Sequence, residues 1–263
     1  MQSAKHLGIP ESLYCRPFIE GLRDEDSFRL VHEQPAEIAR RLETRGLDAA
    51  FLSPIDYARN ASEYLIIPGS AVSSAEGNNA VVIHFREGAT NVRTLAVRPS
   101  SASDIVLARI MLAERFDLNP RIVPVMGALE EMLAKADAAL LTADAAMEYA
   151  LSRPSALDLV EEWIAATDLP YVHGFWAGRE DSLSKHEWDI IAGAADRGYT
   201  SLQAQGEPVA GALETFSYDL TDDVQEGIRE FLRYAYYHGI LPDVPDLRFF
   251  GTDVDSPSRP ALN

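Results

Sequence analysis

The feature that most constrains this chain is an alternation of short apolar runs with helical patterns, and it occurs twice. Residues 7–9, 28–32 and 47–52 read as strands, with helical patterns at 13–22, 35–42 and 54–60. Residues 94–97, 121–125 and 138–141 repeat the strand pattern, with helices at 105–116, 129–134 and 145–151. Pro35 suits a first helical turn and Gly46 a helix stop. Such a rhythm builds a largely parallel sheet covered by helices on both faces. The longest extended segments, 80–85 and 171–177, read as crossover strands joining two lobes. The expected architecture is α/β: a hinged, two-lobed clamshell. Residues 1–83 and 178–263 make one lobe, and 84–177 the other. Residues 184–239 read as helices, and 242–263, rich in Pro, Asp and Ser, as a tail. Ligands in a clamshell bind between the lobes, where closure sequesters them.

Composition narrows the class of partner. The net charge of −18 argues against nucleic acid, which calls for a basic footprint. It leaves room for an anion, because a local site can be positive inside an acidic protein. No run of about 18 apolar residues is present, so no membrane span is expected. The first residues lack the apolar run of an export signal, and Cys15 stands alone, so the cytoplasm is the expected compartment. No cysteine cluster points to structural zinc.

Two polar strand-ends each open a helix. One is Ala96-Val97-Arg98-Pro99-Ser100-Ser101-Ala102-Ser103-Asp104-Ile105, and the other is Ala139-Leu140-Leu141-Thr142-Ala143-Asp144-Ala145-Ala146. A helix start offers unpaired N–H groups and partial positive charge, which suits a small anionic carboxylate. Ser101, Ser103, Asp104, Thr142 and Asp144 are the candidates there, each with an alternative as a simple cap. Ser53, ending the third strand, is a further ligand or cap candidate. Tyr14 and Arg16 follow the first strand, and Arg16 has the shape to clamp a carboxylate. Asn78 and Asn79 suit either a ligand-lining loop or an ordinary turn. His84 and His173 lie on the expected crossover strands, where a histidine in the cleft serves as acid or base.

These stretches resemble the chorismate dehydratase family of the futalosine route to menaquinone. The resemblance is carried by Gly8-Ile9-Pro10 through Gly21-Leu22, and by Leu47-Asp48-Ala49-Ala50 through Tyr57. It continues in Ala113-Glu114-Arg115-Phe116, Ala136-Asp137-Ala138 and Asp158-Leu159-Val160-Glu161-Glu162-Trp163, then Leu169-Pro170-Tyr171 and Trp176-Ala177. It implies the type 2 periplasmic-binding-protein fold. It implies conversion of chorismate to 3-[(1-carboxyvinyl)oxy]benzoate by loss of water, with no metal or organic cofactor. Tyr14 stands where that family usually has Asn, Val81 where it has Ser, and Asp104 ends a segment often written Ser-Arg-Thr-Ser. The expected activity is a lyase-type dehydration with Asp144, His173 and Tyr14 as the titratable groups. Arg16, Ser53, Asn78, Asn79, Ser101, Ser103, Asp104 and Thr142 are expected to hold the substrate. The alternative is a non-catalytic small-carboxylate-binding protein of the same fold. Either is expected to act as a monomer or homodimer.

Overall fold

The computed structural model describes residues 4–89, 91–98, 100–150, 156–207 and 209–251. The chain begins with β1 (Lys5–Gly8), a 3-10 turn at Leu13–Cys15, α1 (Arg16–Leu22) and β2 (Phe28–Val31). It continues with α2 (Pro35–Glu43), β3 (Ala49–Leu52), α3 (Pro54–Ala58) and β4 (Leu65–Ser74). Next come β5 (Val81–Phe85), β6 (Thr94–Val97), α4 (Ala102–Phe116), β7 (Arg121–Pro124) and α5 (Leu129–Lys135). Then follow β8 (Ala138–Thr142), α6 (Ala143–Ala150), β9 (Leu157–Asp158), α7 (Leu159–Thr167) and β10 (Tyr171–Gly178). The chain closes with α8 (Lys185–Ala192), α9 (Ala194–Ala204), α10 (Val209–Leu213) and α11 (Asp222–Tyr237). Pro99, Leu151 and the end of the expected tail, 252–263, lie outside the described residues.

The strands form two five-stranded sheets, ordered β2-β1-β3-β10-β4 and β7-β6-β8-β5-β9. In the first, β1 pairs in parallel with β2 and β3, while β10 runs antiparallel to β3 and β4. The second repeats the plan: β6 is parallel to β7 and β8, and β5 is antiparallel to β8 and β9. The two α/β units read from the sequence are therefore two sheets of like topology, each with helices packed on it.

The crossings differ from the expected ones. β5 lies wholly in the second sheet and β10 wholly in the first, so neither strand joins them. The chain passes across after β4 and returns by way of α7. The boundaries expected at 83/84 and 177/178 thus move to the turn following β4 and to the connection carrying α7. The cause is that β5 and β10 are interior strands. Each is bonded on both edges, and all of β10 is buried. Asp158 braces the first crossing: it accepts from Asn79 N at 2.7 Å and caps α7 through Val160 N at 2.9 Å.

One strand was not foreseen, and the segment read as a tail departs from the expectation. The longest strand, β4, contains Pro68-Gly69, which reads as a turn. It survives because β4 is an edge strand, where a proline costs no ladder bond, and Gly69 takes φ +73°. The segment read as a tail is partly structural. Arg248 O accepts from Ile66 N at 2.7 Å, Phe250 N donates back to Ile66 O at 3.0 Å, and Phe250 is buried. The Tyr57 hydroxyl also fastens it, donating to Asp246 O and accepting from Arg248 N. One apolar cluster runs from Ile38 and Leu42 through Ile55 and Leu107 to Trp163 and Phe231, joining the helices of both sheets.

Candidate functional site

A cleft of about 870 Å³ opens where the C-terminal ends of parallel strands from both sheets meet. The end of β1 contributes Pro10, Glu11, Ser12 and Tyr14, and the end of β2 contributes His32 to Pro35. From the second sheet come Arg98, Ser100, Ser101 and Asp104 after β6, and Thr142 to Ala145 at β8. Ligands of open α/β sheets bind at this edge, because loops and helix starts converge there. Ser101 caps α4, its Oγ accepting from Asp104 N at 3.1 Å. Ala143 begins α6 with φ 52°, and Asp144 Oδ1 accepts from Leu13 N at 2.6 Å, tying the two sides of the cleft together.

Asp104 is only 4% exposed. Its Oδ1 accepts from the Tyr171 hydroxyl at 3.1 Å. Burial pushes its carboxyl up to about 7, against the pull of hydrogen bonds from Ser101 and Tyr171, with Asp56 adding to the rise. Tyr14 is pushed well above the usual phenol value, first by burial and then by Asp104. Tyr14 is therefore a hydrogen-bond donor at neutral pH, and the Asp104 carboxyl is held partly protonated there. Behind Tyr14 sits His173, with ring centroids 5.1 Å apart and nearly parallel. Asn78 Nδ2 donates to Ser74 Oγ at 2.8 Å, and that hydroxyl meets His173 Nε2 at 2.9 Å. Burial holds His173 down at about 3, so the ring is neutral.

The cleft brings together Tyr14, Ser101, Asp104, Thr142 and Asp144 of the expected set, and leaves out the rest. His173 does not reach its wall, because Tyr14 covers it, and Asn78 serves that buried chain of hydrogen bonds. Asn79 is exposed, with φ 57°, and turns the chain toward Asp158. Ser53 caps α3, accepting from Asp56 N at 3.3 Å and donating to its carboxylate at 2.7 Å. Ser103 is fully buried and accepts from Ile55 N at 3.0 Å, so it docks α4 on α3. Arg16 is exposed on the first residue of α1, away from the cleft.

Arg98, Ser100 and His32 also line the cleft, and the sequence reading did not single them out. Among the described residues, Arg98 is the one arginine or lysine lining the cleft, and it makes no ion pair. It was legible inside the strand-end motif, one residue before Pro99. Ser100 Oγ is buried with no hydrogen-bond partner among the described residues. His32, just after β2, places Nδ1 3.3 Å from Ile9 O. The acidic lining is partly answered in place, since Arg41 meets Glu33 at 2.8 Å and Arg40 meets Glu37 at 2.8 Å. Among the described residues, no three His, Cys, Asp or Glu side chains are grouped to hold a metal ion. No helix of the described residues is long and apolar enough to cross a membrane.

Known proteins share this architecture. A protein of Archaeoglobus fulgidus superposes with a TM-score of 0.72 at 17% identity, covering 90% of this chain and 98% of that one. A Candida albicans protein described as having the generic periplasmic binding protein fold gives 0.67 at 13% identity, covering 97% and 99%. The periplasmic aliphatic sulphonate binding protein of Escherichia coli gives 0.62 at 15%, covering 94% and 96%. The fold is thus that of the periplasmic binding proteins. In sequence, the chorismate dehydratase of Thermus thermophilus is 27% identical over 272 residues, spanning 97% of this chain and 96% of that protein. The family model for menaquinone biosynthesis matches residues 5–237. The chain belongs to the menaquinone biosynthesis family.

Proposed function

We propose that the protein is a dehydratase, a carbon–oxygen lyase, acting on chorismate or a close enolpyruvyl carboxylate. The observation that carries this reading is Arg98, which makes no ion pair among the described residues, beside the buried and unpartnered Ser100 hydroxyl and the start of α4, on the wall of a cleft built at strand ends. A guanidinium without a carboxylate partner, next to hydroxyl and helix N–H donors, is a receptor for a carboxylate. Asp104 opposes it less than an ordinary carboxylate would, since burial raises its carboxyl and favours the neutral form. Tyr14 and Thr142 supply further donors toward the ring and its hydroxyl. The likeness to a dehydratase over nearly the whole chain supports the reaction. A cytoplasmic setting fits a biosynthetic step.

The test is chorismate incubated with purified protein and followed by ultraviolet absorbance and mass. Turnover changes the spectrum and removes one water from the mass; simple capture leaves both as they were and overturns the reading. The Arg98 assignment has its own check by calorimetry. Arg98→Ala should weaken binding by about 1.5–3 kcal/mol, the range for a hydrogen bond to a charged group. Arg16→Ala should leave it unchanged. Equal affinity in Arg98→Ala and parent would remove Arg98 from the site.

A further inference from the structure

We propose that the protein carries a second anion site, for a small phosphate-type oxyanion, built from Arg45, Arg179 and Arg248 at the edge of the first sheet opposite the cleft. It stands independently of the dehydratase reading, since the two pockets share no lining residue.

Three segments far apart in sequence bring these arginines together. Arg45 lies in the turn between α2 and β3, Arg179 follows β10, and Arg248 lies in the segment that pairs with β4. Gly178 pairs with both Ala49 and Leu65, so the ends of these strands coincide at the N-terminal edge of β3. The cleft opens at the other edge. All three arginines line a pocket of about 270 Å³.

Their charges are fixed in place without being neutralised. Arg179 donates from Nη1 to Leu42 O at 2.9 Å and from Nη2 to Leu47 O at 3.0 Å. Its Nε is buried with no hydrogen-bond partner among the described residues, and a buried orphan donor calls for one. Arg248 donates from Nη1 to Ser62 O. Carbonyls orient a guanidinium and leave its full charge. Arg45 is exposed and takes φ 61° directly before Gly46, a conformation that glycine adopts at lower cost. None of the three makes an ion pair among the described residues, in a chain with 41 acidic side chains to 23 lysines and arginines. Where acids outnumber bases so far, three arginines on one pocket without a carboxylate partner point to an anion from outside the chain.

The chemistry of that anion follows from its competitors. Glu63, Glu180 and Asp181 also line the pocket, and all three are exposed. They can turn to water, whereas Arg179 and Arg248 are half-buried and tied to backbone. A single carboxylate gains nothing over those already at hand. A tetrahedral dianion does, because planar guanidinium forks grip its several oxygens from more than one side.

The test is calorimetric titration of the full chain with inorganic phosphate, against chloride at equal ionic strength. Arg45→Gly removes one guanidinium and suits the left-handed backbone, so it should fold as well as the parent. It should bind phosphate about tenfold more weakly or worse, the loss of one charged hydrogen bond. Arg98→Ala, in the cleft, should bind phosphate as the parent does. Glycerol 3-phosphate binding tighter than phosphate would mark a phosphate monoester as the occupant, and weaker would mark the free ion; both support the site. Binding lost in Arg98→Ala and kept in Arg45→Gly would put the anion in the cleft and overturn the proposal. So would a parent protein that gains neither heat nor unfolding temperature from phosphate beyond the chloride control.

Discussion

His173→Gln should remove a pH-dependent share of the protein's stability, so that parent and variant diverge steadily between pH 3 and pH 6.5. His173 is 3% exposed, and its ring is surrounded by Tyr14, Tyr171 and Phe216. Burial keeps it neutral down to about 3, whereas in the unfolded chain it protonates at its ordinary value of 6.5. Between those values the unfolded state binds the extra proton. Its contribution is therefore complete above 6.5 and is lost as pH falls toward 3. The loss runs at about 1.4 kcal/mol per unit, or roughly 4–5 kcal/mol in all. Asp104 works in the opposite direction. Its folded value of about 7 lies above the unfolded 3.8, so the folded state holds the extra proton. Its contribution is complete below 3.8 and is lost as pH rises through 7, by roughly 4 kcal/mol. From pH 4 to 6.5 the two slopes oppose, and the parent should look flatter than either single variant. Urea unfolding at fixed pH values reads the difference directly. Asp104→Asn should gain on the parent as pH rises to 8, and His173→Gln should gain on it as pH falls to 4. A parent-to-variant difference that stays constant across the range would falsify both assignments.

The parts of this molecule that sequence discloses are those governed by local rules. Strand–helix alternation depends on periodicity and caps, and Pro35, Ser101 and Thr221 all sit at helix starts as their chemistry requires. The choice of sheet does not follow from periodicity. An apolar run such as 81–85 reads the same whether it crosses between sheets or fills the interior of one. β4 was hidden for a related reason: Pro68-Gly69 is turn chemistry, and only edge position in a sheet makes it harmless. At the site, strand-end hydroxyls divide by the direction they face. Ser101 and Ser103 are two residues apart on one helix start, yet one turns to the cleft and the other to α3. Arg16 and Arg98 both follow strands, and only tertiary position separates the exposed one from the one in the cleft. Asp104 looks like a dipole-favouring first-turn acid in sequence; its burial beside Tyr171 instead raises its carboxyl well above the usual range.

Gly198→Ala should destabilise the fold by about 3 kcal/mol or more, at the upper end of what overpacking costs. α1 and α9 cross with their backbones in contact. A Cβ on Gly198 would stand 1.8 Å from Pro17 O and 2.7 Å from Gly21 N. The reciprocal contact is as close, since a Cβ on Gly21 would stand 1.8 Å from Ala194 O. These are main-chain atoms that no rotamer change can move aside, so the helices must part. Parting them also displaces the 3-10 turn that precedes α1, and with it Tyr14, whose carbonyl accepts from the Tyr218 hydroxyl on the far side. The loss should therefore be felt at the cleft, as weaker ligand binding in whatever fraction still folds. Gly211 is the control. It lies inside α10 with nothing within 4 Å of a built Cβ and no positive φ, so alanine there should stabilise by about 0.5–1 kcal/mol through helix propensity. Opposite signs for the same chemical change, read by urea unfolding of the two variants, would tie the effect to the helix crossing. A Gly198→Ala variant as stable as the parent would show that α1 and α9 do not meet backbone to backbone.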